Sequence, residues 1–211
     1  WKNMVLSIPG GEFLTGSLDV ISQSLTIPVL VILLVIVIIT IITLGGAISE
    51  YTSRKKVPVG VIRDLIYDIN ASQSVDELKS VISNADIPKS QKKVLTEIAY
   101  SESLGDSSRE ALARKLFEFE EEKTIESLRK TDIITRLGPT IGLMGTLIPM
   151  GPGLAALGAG DINTLASSLT VAFNTTIVGI GSSALCYFIG KLRSSWYDRY
   201  LSDLDALIDA V

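Results

Sequence analysis

The sequence predicts an all-α integral membrane protein, with three transmembrane helices and long helical cytoplasmic extensions. Three observations carry this. Residues 20–49, 137–160 and 162–190 contain no Asp, Glu, Lys or Arg, and each run exceeds the roughly 20 residues a helix needs to cross the hydrocarbon core. The charges gather instead in 50–136, which holds 15 of the 19 basic and 16 of the 23 acidic residues. The basic residues beside the runs also fall on one side. Arg54, Lys55 and Lys56 follow the first run, Arg129, Lys130 and Arg136 precede the second, and Lys191, Arg193 and Arg199 follow the third. Only Asp161 lies between the second and third runs, and Lys2 is offset by Glu12 and Asp19 before the first. The positive-inside tendency then puts the N-terminus outside and the C-terminus in the cytoplasm of a multi-pass protein of the cell (plasma or inner) membrane.

Each element follows in order. Residues 1–26 form an extracytoplasmic segment in which Leu14, Leu18, Ile21 and Leu25 repeat at helical spacing. Such a face suits a helix lying on the outer membrane surface and turning in at Pro28, with an ordinary linker as the plainer reading. Residues 27–48 are uniformly apolar and form transmembrane helix one, facing lipid over most of its surface. Residues 49–136 form the cytoplasmic helical domain, with helices expected near 58–70, 74–84 and 89–104. Ser74 with Glu77 and Ser107 with Glu110 have capping-box spacing, and Pro58 and Pro88 suit helix starts. Beyond Ser108 the next breakers are Gly138 and Pro139, so the last helix leads into transmembrane helix two, 137–159. A short outer loop, 160–164, precedes transmembrane helix three, 165–190. This flows into a cytoplasmic C-terminal helix, 191–211, where Leu192, Trp196, Tyr200, Leu204 and Leu207 share a face.

Composition excludes several functions. The chain has no histidine and one cysteine, so an internal disulfide is impossible and a His/Cys zinc site is not expected. His-dependent nucleophilic catalysis is excluded, no phosphate-loop pattern is present, and no enzyme, cofactor or metal is expected. Glu118, Glu120, Glu121 and Glu122 do not share a helix face and read as solvated surface. The 50–136 segment is nearly neutral, 15 − 16 = −1, which gives no nucleic-acid footprint. Cys186 reads as a small packing residue.

The second and third spans are unusual for simple anchors. Gly138, Gly142, Gly145, Pro149 and Gly153 fall on one side of helix two, with Thr146 beside them. Small residues let helices approach closely in lipid, where no hydrophobic force draws them together. Pro149 and Pro152 remove helical N–H groups and suggest a broken helix near the outer end, backbone that a membrane tolerates when protein or a wet cavity surrounds it. In helix three Ser167, Thr170, Asn174 and Gly181 lie near one face, and Thr175 and Thr176 on others. Hydroxyls donate and accept, so they can hold waters or a carboxylic acid. Interhelical hydrogen bonding is the plainer use.

GLMGT in the second span, a short outer loop and TTIVG in the third, within an N-out three-span chain, resemble the MotA/TolQ/ExbB proton-channel family. The motif-bearing part is 136–190, and the topological likeness covers nearly all of the chain. The resemblance implies a pentamer of such chains, a helical bundle around a central pore. It implies a partner, a single-span subunit of ExbD, TolR or MotB type carrying a membrane Asp, and proton motive force coupled to rotation or force on a load. It matches Thr146 to the family's span-two threonine, and Thr176 with Gly179 to its span-three motif. Many members carry glutamate where Val171 stands here, and glycine where Pro149 stands. No span of this chain holds an ionisable carboxylate, His, Lys or Arg, whereas intramembrane proton relays use such groups. The protonatable group is therefore expected on the partner, flanked by Thr146 and Thr176, with Thr170, Asn174 and Thr175 as further pathway candidates. Gly138, Gly142, Gly145, Gly153 and Gly179 are expected to pack helices or subunits. The competing expectation is a non-conducting membrane scaffold or signalling oligomer.

Overall fold

A computed structural model describes residues 11–54, 57–101 and 105–211. Lys2, Lys55, Lys56 and residues 102–104 of the expected 89–104 helix lie outside the described residues. Among those described there are seven helices and no strand: α1 (Gly11–Ser24), α2 (Thr26–Ser53), α3 (Val59–Ala71), α4 (Val75–Asn84), α5 (Lys89–Tyr100), α6 (Asp106–Gly158) and α7 (Ile162–Ile208). Helical segments long and apolar enough to cross a membrane occur three times: Glu12–Ser53, Asp106–Gly158 and Ile162–Ile208. The chain forms two compact units. One runs to Gly46 and includes Thr131–Ile189; the other joins Ala47–Lys130 to Gly190–Val211.

In the apolar unit, α1 leaves Leu14, Leu18 and Ile21 exposed. The Leu25 N–H bonds the Ile21 carbonyl and the Val29 N–H bonds that of Leu25, so helical bonding passes the junction with only Leu25 outside a helix. Pro28 accounts for the interruption, since it cannot donate to the Ser24 carbonyl. Helix α2 buries one stripe, Val29, Leu33, Ile36 and Thr40, and exposes the rest of its apolar surface. Ile36 packs with Ile134 of α6 and Cys186 of α7. The Thr40 hydroxyl donates to the Ile36 carbonyl at 2.7 Å and lies 3.6 Å from Cys186 Sγ.

Helices α6 and α7 form a hairpin closed by three residues. Gly160 adopts φ +82°, the left-handed conformation that glycine adopts without strain. The Asp161 N–H bonds the Ala156 carbonyl and the Gly160 N–H that of Leu157, the paired bonds of a Schellman ending. Asp161 then caps α7, accepting from the Thr164 N–H at 3.0 Å. The bond from the Thr164 hydroxyl and, after it, this backbone bond hold its carboxyl below the usual range.

The expected break at Pro149 and Pro152 is absent: α6 is helical through both, as it is through Gly138 and Pro139. Each proline removes one bond from a long ladder, and lipid penalises every further backbone group left bare, so the remaining bonds hold.

In the polar unit, Ile62, Leu65 and Ile69 of α3, Ile82 of α4, Leu95 and Ala99 of α5 and Leu207 of α7 form one cluster. Val94, Ile98, Ala113 and Leu204 form a second. At the start of α4 the Glu77 N–H donates to Ser74 Oγ at 3.2 Å, and Glu77 reaches back to the Gln73 N–H at 3.0 Å. The expected cap at Ser107 does not form. Helix α6 has already begun at Asp106, with the Ser108 and Arg109 N–H groups on the Gly105 carbonyl. Gly105 is an acceptable N-cap, and Asp106 places an acid at the helix's positive end.

Two hydrogen-bonded chains tie the long helices together here. Tyr200 Oη lies 2.8 Å from Glu120 Oε2 and 2.9 Å from Ser90 Oγ. One phenol proton serves one bond, so Tyr200 donates to the carboxylate and accepts from Ser90. Tyr197 Oη donates to Glu50 Oε1 at 3.1 Å beside Ser127 Oγ, and Arg193 Nε donates to Glu50 Oε2 at 2.8 Å. Burial raises the Tyr200 phenol well above its ordinary value near 10, and its bond to Glu120 adds to this. Below pH 10 this contribution is fully present. Above it the unfolded phenol ionises while the folded one does not, so stability falls. Chemical denaturation from pH 8 upward is expected to show a steeper alkaline loss in the native chain than in Tyr200→Phe.

Candidate functional site

The candidate site is the seam between α6 and α7. Its closeness comes from the glycines. A Cβ on Gly138 would stand 2.8 Å from the Gly179 carbonyl, and one on Gly142 3.2 Å from Gly179 Cα. A Cβ on Gly145 would stand 2.7 Å from Thr175 Cβ, and one on Gly153 2.9 Å from Ser168 Cβ. From the other side, a Cβ on Gly179 would stand 2.6 Å from the Gly138 carbonyl and 2.8 Å from Gly142 Cα. The five glycines therefore face the partner helix of the same chain.

That approach brings two hydroxyls together. Thr146 Oγ1 and Thr176 Oγ1 are 2.5 Å apart. Thr146 Oγ1 is 2.9 Å from the Gly142 carbonyl and Thr176 Oγ1 is 3.5 Å from it. The shorter distance assigns Thr146 as donor to Gly142 and Thr176 as donor to Thr146. Both protons then point inward, and the lone pairs of Thr176 remain as acceptors. Pro149 has no N–H, so the Gly145 carbonyl, next to Thr146, also lacks the donor a helix would supply.

The other candidates lie elsewhere. Thr175 is buried against Gly145 and donates to the Ala172 carbonyl at 2.8 Å. Thr170 is exposed and bonds the Ala166 carbonyl at 2.9 Å. Asn174 is exposed on α7. Only Thr146 and Thr176 meet.

Sequence reasoning missed Ser183, whose hydroxyl donates to the Thr135 carbonyl at 2.6 Å. Pro139 stands four residues after Thr135 and cannot donate to it, so Ser183 supplies the missing bond from the neighbouring helix. The signal was readable in part: a proline inside a span frees a carbonyl at a known position, although nothing local says which residue meets it. Ser168, against Gly153, was missed likewise. Among the described residues no three metal-ligating side chains converge.

Fold and seam define a membrane-embedded helical protein whose spans carry paired hydroxyls and no charge. The model of the MotA/TolQ/ExbB proton channel family matches residues 80–206, and the chain belongs to that family. The match begins within α4 and takes in α5, α6 and nearly all of α7. No curated protein matches the chain. Family membership and the three apolar helices make this a membrane protein of proton-channel type.

Proposed function

We propose that the chain is the pore-lining subunit of a proton-driven stator. It couples proton flow to rotation or force through a single-span partner of ExbD/TolR/MotB type, whose membrane Asp meets Thr146 and Thr176. The observation that carries this reading is the hydroxyl pair bridging α6 and α7 where neither charge-free run has a carboxylate, His, Lys or Arg. With both protons turned inward, the pair accepts. It suits a neutral carboxylic acid, which donates, and not a carboxylate. To serve the carboxylate, the Thr176 O–H must rotate outward and leave Thr146. Gain and loss of one proton on the partner's acid would then make and break a bond between the two helices. Five copies around a pore, with the N-terminus outside and the C-terminus cytoplasmic, complete the reading.

The test is proton flux in liposomes holding the chain and its partner. Thr146→Val with Thr176→Val keeps the side-chain shape and removes both hydroxyls. Flux is expected to fall roughly tenfold or more, since a charged or acidic group loses its hydrogen-bond partners. Undiminished flux would place the pathway elsewhere. Full biological function without a proton gradient would instead favour the non-conducting scaffold or signalling oligomer.

A further inference from the structure

The polar unit holds a cavity of about 960 Å³ that the α6–α7 seam does not use. We propose that it binds a phosphate group bearing a neighbouring hydroxyl, the chemistry shared by a phosphatidylglycerol headgroup and free glycerol phosphate.

The start of α5 opens onto this cavity, through Pro88, Lys89, Ser90 and Gln91. Pro88 caps the helix without a side-chain hydrogen bond, and the first turn carries no acid. It carries Lys89 and Lys92 instead. Cations at the positive end of a helix reverse the favourable arrangement, and the first N–H groups have no intrahelical acceptor. An anion seated there would meet both needs.

Arg54 and Arg199 line the same cavity. The Arg54 guanidinium lies 5.1 Å over the Trp196 ring and donates to the Trp196 carbonyl at 2.9 Å, which holds its plane while other N–H groups stay available. Burial lowers its pKa most, the charge of Glu50 opposes this, and the charge of Arg199, less strongly, adds to the lowering. Two of the cavity's carboxylates are already engaged: Glu50 by Arg193 and Tyr197, and Glu120 by Lys123 and Tyr200. Arg54, Arg199 and Lys89 remain, a cationic excess over Asp203 even though the nearby charge of Glu50 also acts on Arg54.

Gln91 is the independent observation that points to a ligand. It lines the cavity, is 1% exposed and donates through Nε2 to the Tyr200 carbonyl at 3.1 Å. Its Oε1 is the one buried side-chain polar atom among the described residues without a partner. An unmet buried acceptor is costly, and a hydroxyl supplies what it lacks. Phosphate alone would leave it bare. Chain position favours a lipid source. Glu50 and Arg54 directly follow the charge-free run ending at residue 49, and Trp196 and Arg199 soon follow the one ending at 190. Aromatic and basic residues so placed meet headgroups.

The test uses the full chain, purified and delipidated in detergent. Native mass spectrometry follows titration with phosphatidylglycerol or phosphatidylcholine, and calorimetry follows glycerol phosphate. Phosphatidylglycerol is expected to bind roughly tenfold more tightly than phosphatidylcholine. Arg54→Gln with Arg199→Gln is expected to abolish that preference. Arg63→Gln with Lys115→Gln, which removes equal charge outside the cavity, keeps it. Lys89→Asp puts an acid at the helix start, so it should keep or raise thermal stability while weakening binding; this separates ligand loss from misfolding. Glycerol phosphate that binds with the same sensitivity to these variants identifies the soluble source. Equal binding of both lipids, or a preference unmoved by the cavity variants, together with no glycerol phosphate binding, overturns the proposal.

Discussion

Gly179→Ala is expected to destabilise the α6–α7 hairpin by about 3 kcal/mol, the upper part of the usual range for overpacking. The added methyl would stand 2.6 Å from the Gly138 carbonyl oxygen and 2.8 Å from Gly142 Cα. Both are backbone atoms, so no side chain can rotate away, and the helices must separate along their closest stretch. Separation would also stretch the bond between Thr146 and Thr176. Gly181→Ala is the matched control. It lies two residues along the same helix with nothing within 4 Å, and alanine should gain roughly 0.5–1 kcal/mol there from helix propensity. Steric-trapping or denaturant unfolding of the chain in micelles would compare the two. Equal stability of both variants would contradict the close approach.

Glu50→Ala should have the next largest effect, a loss of about 3 kcal/mol. Arg193 is 14% exposed and Glu50 29%, so removing the carboxylate leaves a largely buried guanidinium without its partner. Tyr197 loses its acceptor in the same step. The effect should exceed the intrinsic value of the pair, because most of it is the penalty for the stranded charge. Adding Arg193→Ala should therefore recover a large part of the loss. A double-mutant cycle by thermal or denaturant unfolding measures this, and strictly additive losses would show that the two groups do not interact.

Much of the fold was legible because the bilayer constrains it. Three charge-free runs, each long enough to cross, leave few alternatives to helices. The glycine face of α6 was readable from spacing alone. What spacing could not supply was the neighbour that each face meets. Thr170, Asn174, Thr175 and Thr176 are all polar residues of one span, yet only Thr176 reaches Thr146, while Thr175 lies against Gly145. The prolines misled for a related reason. In a soluble helix Pro149 and Pro152 would argue for an end, but a membrane penalises every further bond that breaks. The Ser107 capping pattern failed because Gly105 and Asp106, just before it, offered an equally good start. The Gln91 acceptor and the cationic cavity depend on residues from α2, α5 and α7, too far apart in sequence for any local pattern to join.

Ser183 and Thr135 have a mechanical consequence. Pro139 leaves one carbonyl that only the neighbouring helix can satisfy, and Ser183 sits at the one height where it can do so. Sliding α7 by a turn, about 5.4 Å, would strand that oxygen in hydrocarbon and drive Gly179 out of its notch against Gly138. The hairpin therefore behaves as a strut with a latch, unable to creep along its own length. The Val29, Leu33 and Ile36 stripe of α2 is held more loosely, since the stripe's polar member, Thr40, reaches α7 only through its 3.6 Å contact with Cys186 Sγ.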